Sequence, residues 1–247
     1  MDIDSAPRKG RDPVMAFELP PAVILAGGLG TRLRSIVSDR PKALALVAGK
    51  PFLAHQLRWL HANGVSSATL CVGYKGEQIV EELGDGSSLG LRLTYSWEHT
   101  PLGTGGALAQ ATHLLPSEFL VINGDTYTDL PLRPLWEAHG DYGATATLAV
   151  TSAPDSSAVG GIELAEDSRI IAFREKQPGA ILVSMGIYAA SIDLLQHIPT
   201  QRPCSLERDV FPHISRLYGH VSAATFIDIG TPLGYRAANL YLTNLGS

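Results

Sequence analysis

From Pro21 onward, short apolar runs alternate with longer amphipathic ones. Residues 23–26 read as a short buried strand. Residues 51–63 read as a helix, with Pro51 in its first turn and Gly64 just past its end. A strand over 68–72, a helix over 77–83 closed by Gly84, a strand over 91–95 and a helix over 105–115 follow. Residues 119–122 form a strand running into Asn123-Gly124-Asp125, and 144–150 form another rich in Ala and Thr. Beyond that the pattern changes: 160–164, 170–173 and 181–188 read as strands with little helix between, extending the sheet into the far wall of a cleft. Residues 206–217 and 231–245 read as mostly helical, and 1–18 as a flexible tail. The alternation predicts an α/β fold, Rossmann-like, with a mostly parallel mixed sheet flanked by helices. Ligands in such sheets sit outside the carboxyl ends of the strands.

One strand end carries chemistry. Leu25-Ala26-Gly27-Gly28-Leu29-Gly30-Thr31-Arg32-Leu33 is followed by Arg40-Pro41-Lys42. A glycine-rich turn after a strand presents several backbone N–H groups at one point and lets a phosphate chain approach. The run lacks the Lys-Ser or Lys-Thr pair of a P-loop, and Leu33 stands where the dinucleotide fingerprint needs its third glycine. A tight turn with no ligand is the competing reading.

The 247 residues are 45% hydrophobic and 17% charged, which suits one large or two small globular domains. A net charge of −5 argues against a nucleic-acid partner. A polyphosphate site in an acidic chain needs a local basic cluster, and Arg32, Arg34, Arg40, Lys42 and Lys50 supply one. Without the glycine loop they would read as a solvated positive face. No apolar run reaches the roughly 18 residues of a membrane span. The first ten residues lack a signal-peptide core. Cys71 and Cys204 are too few for a disulfide framework and have no partner at metal-ligand spacing. A cytoplasmic location is expected. His55, His61, His113, His139 and His213 show no ligand spacing and read as core or surface residues.

The glycine run with Pro41-Lys42 resembles the signature of the sugar-1-phosphate nucleotidylyltransferases. Four further segments match in family order: 101–108, with Gly103-Thr104-Gly105-Gly106, as a second glycine loop; Asn123-Gly124-Asp125 as a metal-binding turn; Phe173-Arg174-Glu175-Lys176 as a sugar-phosphate segment; and Phe226-Ile227-Asp228-Ile229-Gly230-Thr231-Pro232. The resemblance implies the nucleotide-diphospho-sugar transferase fold in one domain over 19–247. A nucleotide-binding part would span about 19–130 and a sugar-phosphate-binding part about 131–230, with a C-terminal helix over 231–245.

It also implies roles. Arg32 would hold the departing phosphates, and Lys42 would sit beside the α-phosphate. Asp125 and Asp228 would hold Mg²⁺. Leu25, Ala26, Gly27, Gly28, Gly30, Thr31, Gln78, Glu98, Gly103, Thr104 and Gly105 would contact the nucleotide. Glu98 or Glu77 could accept from a guanine edge, as could backbone carbonyls. Gly161, Glu175, Lys176 and Ser184 would face the sugar phosphate, although Gln177 displaces the usual proline and Ser184 replaces a common asparagine.

Within the family, Ala43, 72–75, 119–127 and Cys204-Ser205-Leu206-Glu207-Arg208-Asp209-Val210-Phe211-Pro212 resemble D-glycero-D-manno-heptose 1-phosphate guanylyltransferases. That implies GTP and a heptose 1-phosphate as substrates, a nucleotide sugar for surface polysaccharide as product, and self-association. Mannose 1-phosphate, or UTP or TTP, are the enzyme alternatives. A nucleotide-sensing regulatory subunit is the non-enzyme alternative and predicts missing catalytic positions, all of which are present. A sugar-transferring enzyme would carry Asp-x-Asp, and Asp125 to Asp129 has the wrong spacing.

Overall fold

The computed structural model describes residues 18–33, 36–153, 161–174 and 181–245. Its first half runs β1 (Ala22–Leu25), β2 (Leu46–Val47), β3 (Lys50–Pro51), α1 (Phe52–Ala62), β4 (Ser67–Val72), α2 (Gly76–Leu83), β5 (Arg92–Trp97), α3 (Gly103–Gln110) and β6 (Glu118–Asn123). The second half runs β7 (Thr126–Thr128), α4 (Leu132–Tyr142), β8 (Ala146–Ala153), β9 (Gly161–Leu164), β10 (Ile170–Arg174), β11 (Ile181–Ser191), β12 (Leu217–Val221), β13 (Phe226–Asp228) and α5 (Pro232–Leu245).

Among the described residues nine strands form one sheet. β5, β4, β1 and β6 lie side by side and parallel. The chain adds β4 and β5 on one side of β1 and β6 on the other, so the winding reverses between β1 and β6. Such a switch point opens a crevice at the strand carboxyl ends. β11 then pairs antiparallel with β6, and with β8 and β9 beyond it.

The parallel strands are apolar on both faces because both faces are covered. Ile24, Leu70, Leu120 and Ile122 point into one core with Leu53, Leu57 and Leu60 of α1. Val23, Cys71, Phe119 and Val121 point into the other with Ala107 and Leu108 of α3. A smaller cluster joins Phe52, Tyr127, Ile229, Ala238 and Leu242, fixing α5 against β7 and β13.

Two readings are corrected. Residues 206–217 are not a helix: Leu206–Val210 is one wide turn, Phe211–His213 a 3-10 turn, and β12 begins at Leu217. Pro212 has no N–H to continue an α-helical ladder, and Leu217 pairs with Ala146 instead. Helix α4 lies where no helix was expected. Its buried Leu132, Leu135 and His139 have helical spacing, and Gly143 closes it at φ 53°. Pro131 and Pro134 disguise the pattern, although both fall where a helix start tolerates proline. Of the expected tail, residues 1–17 lie outside the described residues.

Candidate active site

Three strand ends meet. The Ala26 N–H donates to Cys71 O at 2.9 Å, and the Gly124 N–H donates to Leu25 O at 3.1 Å. The glycine loop leaves from this junction. Gly30 adopts φ +60°, and the Leu33 N–H donates back to its carbonyl at 3.0 Å, closing the turn Thr31–Leu33. A β-carbon on Gly30 would stand 2.9 Å from Lys42 Cβ. Glycine there serves twice: it takes the left-handed conformation, and it lets the lysine stem pass.

The carboxylates come from distant parts of the chain. Antiparallel pairing of β13 with β7 puts Asp228 opposite Thr126, and the Ile229 N–H donates to Asp125 O at 2.9 Å. Both side chains then face Gly230. A β-carbon on that glycine would lie 2.7 Å from Asp228 Oδ1, 3.0 Å from Asp125 Oδ2 and 3.0 Å from Arg32 Nη2. Lys42 Nζ forms an ion pair with Asp125 Oδ2, the two side chains only 17% and 23% exposed. Arg32 Nη2 stands 4.0 Å from Asp228 Oδ2 and is largely exposed. Burial, then the charge of Asp125, raises the Asp228 carboxyl above its ordinary pKa. The two carboxylates repel each other across one gap, and Lys42 and Arg32 partly offset their charge.

The opposite flank is shaped differently. Glu98 follows β5, and its N–H donates to Val72 O at 2.8 Å. Its carboxyl packs against the Gly27 backbone, where a β-carbon would stand. Leu102 N–H reaches Glu98 Oε2 at 3.4 Å. Burial raises the pKa of this acid. Glu98 lies toward β5, and Asp125 ends β6, on the other side of β1.

These groups line one cavity of about 480 Å³. Leu25, Ala26, Gly27, Gly28, Gly30 and Thr31 form its floor, with Arg32, Lys42 and Asp125 at one flank. Glu98, Gly103 and Thr104 stand at the other, and Asp228 borders it through Gly230. Gly105 is not in the lining; its N–H donates to Cys204 O at 2.9 Å. Gln78 and Glu77 lie on α2, outside the lining. Gly161 begins β9 opposite Arg174, and Ser184 pairs with Val150 in β11, so neither lines the cavity. Glu175, Lys176 and Arg34 lie outside the described residues. Of the basic cluster, Arg32 and Lys42 enter the lining, while Arg40 pairs with Asp39 at 2.8 Å. Asn123 and Gly230 also line the cavity. Both stood inside matched segments, but only strand pairing shows that they face it.

A matching family model, nucleotidyl transferase, covers residues 21–244. A D-glycero-alpha-D-manno-heptose 1-phosphate guanylyltransferase from Aneurinibacillus thermoaerophilus is 38% identical over 224 residues, covering 88% of this chain and 96% of that protein. A mannose-1-phosphate guanylyltransferase from Mycobacterium tuberculosis is 37% identical over 226 residues, but the matched part spans only 63% of its length. The crystal structure of HddC from Yersinia pseudotuberculosis superposes with a TM-score of 0.82 at 32% identity, covering 91% of this chain and all of that one. The same protein has been crystallised in complex with GMP-PN.

Proposed function

The chain belongs to the nucleotidyl transferase family, and from that premise we propose that it transfers GMP from GTP to a sugar 1-phosphate, of which D-glycero-α-D-manno-heptose 1-phosphate is the best candidate. The observation that carries this reading is the meeting of Arg32, Lys42, Asp125 and Asp228 at one flank of a cavity whose other flank holds Glu98. The match to the heptose enzyme along nearly its full length favours the sugar.

In the proposed reaction an oxygen of the sugar phosphate attacks the α-phosphorus of GTP in line. The new P–O bond forms as the bond to the β-phosphate oxygen breaks, and pyrophosphate leaves with that electron pair. Such a step requires placement and charge neutralisation rather than a protein nucleophile. Lys42, oriented by Asp125, presents its ammonium where charge grows on the α-phosphate. Arg32 offers two guanidinium donors to the departing phosphates. Glu98, ionised, accepts from the N1–H and N2–H of guanine, a donor pair that the other common bases do not present together.

Asp125 and Asp228 would hold Mg²⁺. Among the described residues no cluster of three metal-binding side chains exists. Two carboxylates suit a magnesium ion that takes its remaining ligands from phosphate and water. Bound there, it would neutralise triphosphate charge. Among the described residues no helix is long and apolar enough to cross a membrane, and both cysteines are buried thiols. We place the enzyme in the cytoplasm, as a homo-oligomer.

The test is pyrophosphate release with Mg²⁺, crossing GTP, UTP, TTP, CTP and ATP with heptose, mannose and glucose 1-phosphates. Release confined to GTP with the heptose is the expected result. Preference for GTP with mannose 1-phosphate replaces the sugar alone. Nucleotide binding without release from any pair overturns the catalytic reading.

A further inference from the structure

The segment 204–212 has no part in the chemistry above, yet it grips the nucleotide cavity from behind. Its wide turn is capped by itself: Ser205 Oγ accepts from the Arg208 N–H at 3.3 Å, and Asp209 Oδ2 accepts from the Ser205 N–H at 2.7 Å. That fold aims Glu207 inward. Glu207 Oε2 accepts from Thr104 Oγ1 at 3.1 Å and from Ser205 Oγ at 2.9 Å. Thr104 Oγ1 in turn accepts from the Leu206 N–H at 2.8 Å. The Cys204 N–H donates to Leu102 O at 2.8 Å, and Cys204 O receives the Gly105 N–H at 2.9 Å. The second glycine loop is therefore held on both sides of Thr104.

The chain of bonds continues through the protein. Tyr188 of β11 is fully buried and donates its hydroxyl to Glu207 Oε1 at 2.8 Å. Gly186, two residues earlier, leaves room for the Asn123 amide, because a β-carbon there would stand 2.7 Å from Asn123 Nδ2. The chain ends at Thr104, a cavity-lining residue, whereas Tyr188 and Glu207 do not line the cavity.

We infer that Tyr188 and Glu207 are positioning residues that hold one wall of the nucleotide cavity, Thr104, in place through a single hydrogen-bonded relay. The inference rests on the nucleotidyl-transfer reading, since it assigns a purpose to the wall they set. Tyr188 is reached from the sheet and Glu207 from the turn, and neither touches the cavity. Removing either link should therefore loosen the nucleotide site without removing a group that contacts nucleotide. Because the two are links of one chain, their effects should not add.

The experiment is calorimetric titration of GTP, with Mg²⁺, into the wild-type protein, Y188F, E207Q and the double variant, each with a thermal melt. Y188F keeps the ring against Phe211, whose centroid is 5.0 Å away. Each single variant should weaken GTP binding roughly five- to tenfold, the scale of one displaced hydrogen bond. The double variant should bind no worse than about the weaker single. Lowered melting temperatures with unchanged affinity, or strictly additive losses, overturn the inference while leaving the reading intact. A wild type that binds no GTP overturns the reading and this inference with it.

Discussion

Two cavities of nearly equal size open at the two ends of β6. The one at its carboxyl end holds about 480 Å³, and the one at its amino end about 440 Å³. The second is lined by Glu118, Trp136, His139, Asp193 and Arg216, among others. Its polar groups answer one another. His139 Nδ1 meets Thr147 Oγ1 at 3.0 Å and its Nε2 meets Glu118 Oε2 at 3.2 Å. Neutral imidazole suits both bonds if Nε2 carries the proton and Nδ1 accepts from the hydroxyl. Arg216 reaches Asp193 at 3.5 Å and donates to Gly143 O at 2.9 Å. At the carboxyl end, by contrast, backbone glycines line the floor, and two carboxylates share one gap. Volume does not distinguish the cavities; strand polarity does. The loops that follow parallel strands, and with them Gly27, Glu98 and Asp125, all fall at the carboxyl edge.

The largest expected effect breaks the catalytic end. Lys42→Ala should lower turnover by about 10²- to 10³-fold while GTP affinity changes far less. Steady-state kinetics beside calorimetry checks this, and equal losses in both would reject a role in the transition state. Glu118→Gln at the other end should leave turnover within about twofold of the wild type, because it alters no group of the reacting edge.

Next in size, Asp125→Asn and Asp228→Asn should each raise the Mg²⁺ concentration for half-maximal rate by at least roughly tenfold. A metal titration reads this directly, and an unchanged midpoint would remove that aspartate from the site. A smaller change is expected from Glu98→Gln: KM for GTP should rise about tenfold, with less change for UTP, as one charged acceptor is lost. Acidification should mimic it. Because burial raises the Glu98 pKa, protonation and loss of guanine preference should begin at a pH above that of an ordinary glutamate. A guanine preference independent of pH in the wild type would count against Glu98.

The smallest effect belongs to the amino end and concerns stability. Burial lowers the His139 pKa to about 4, against about 6.5 for the unfolded chain. The folded state thus binds fewer protons between those values. The stabilising contribution is complete above pH 6.5 and is lost as pH falls toward 4, by on the order of 1–3 kcal/mol. The Glu118 carboxylate, beside Nε2, keeps the loss toward the lower figure. Urea midpoints measured from pH 7 to 4.5 should fall less steeply in His139→Asn than in the wild type. Parallel slopes would show that His139 is not buried neutral.

Much of this molecule was legible in one dimension. Strands β1, β4, β5, β6 and helices α1, α2, α3 and α5 announce themselves because apolar spacing, proline and glycine act locally. The glycine loop and Lys42 were legible for the same reason, since a tight glycine turn is built from neighbours in sequence. What chain pattern could not supply was the meaning of pairings between distant segments. The β7–β13 ribbon brings Asp228 to Asp125, and no local rule connects them. Gly105 reads in the sequence as a nucleotide contact, and the fold ties its N–H to Cys204 O. Glu207 looked like one residue of a helix; it proves to be the link between Tyr188 and Thr104. Sequence by itself determined where the parallel strands β1, β4, β5 and β6 lie and where backbone amides cluster, because those depend on short-range sterics and burial. Tertiary structure alone decided which carboxylates share a gap and which polar groups are already satisfied, because those depend on contacts between residues far apart in the chain.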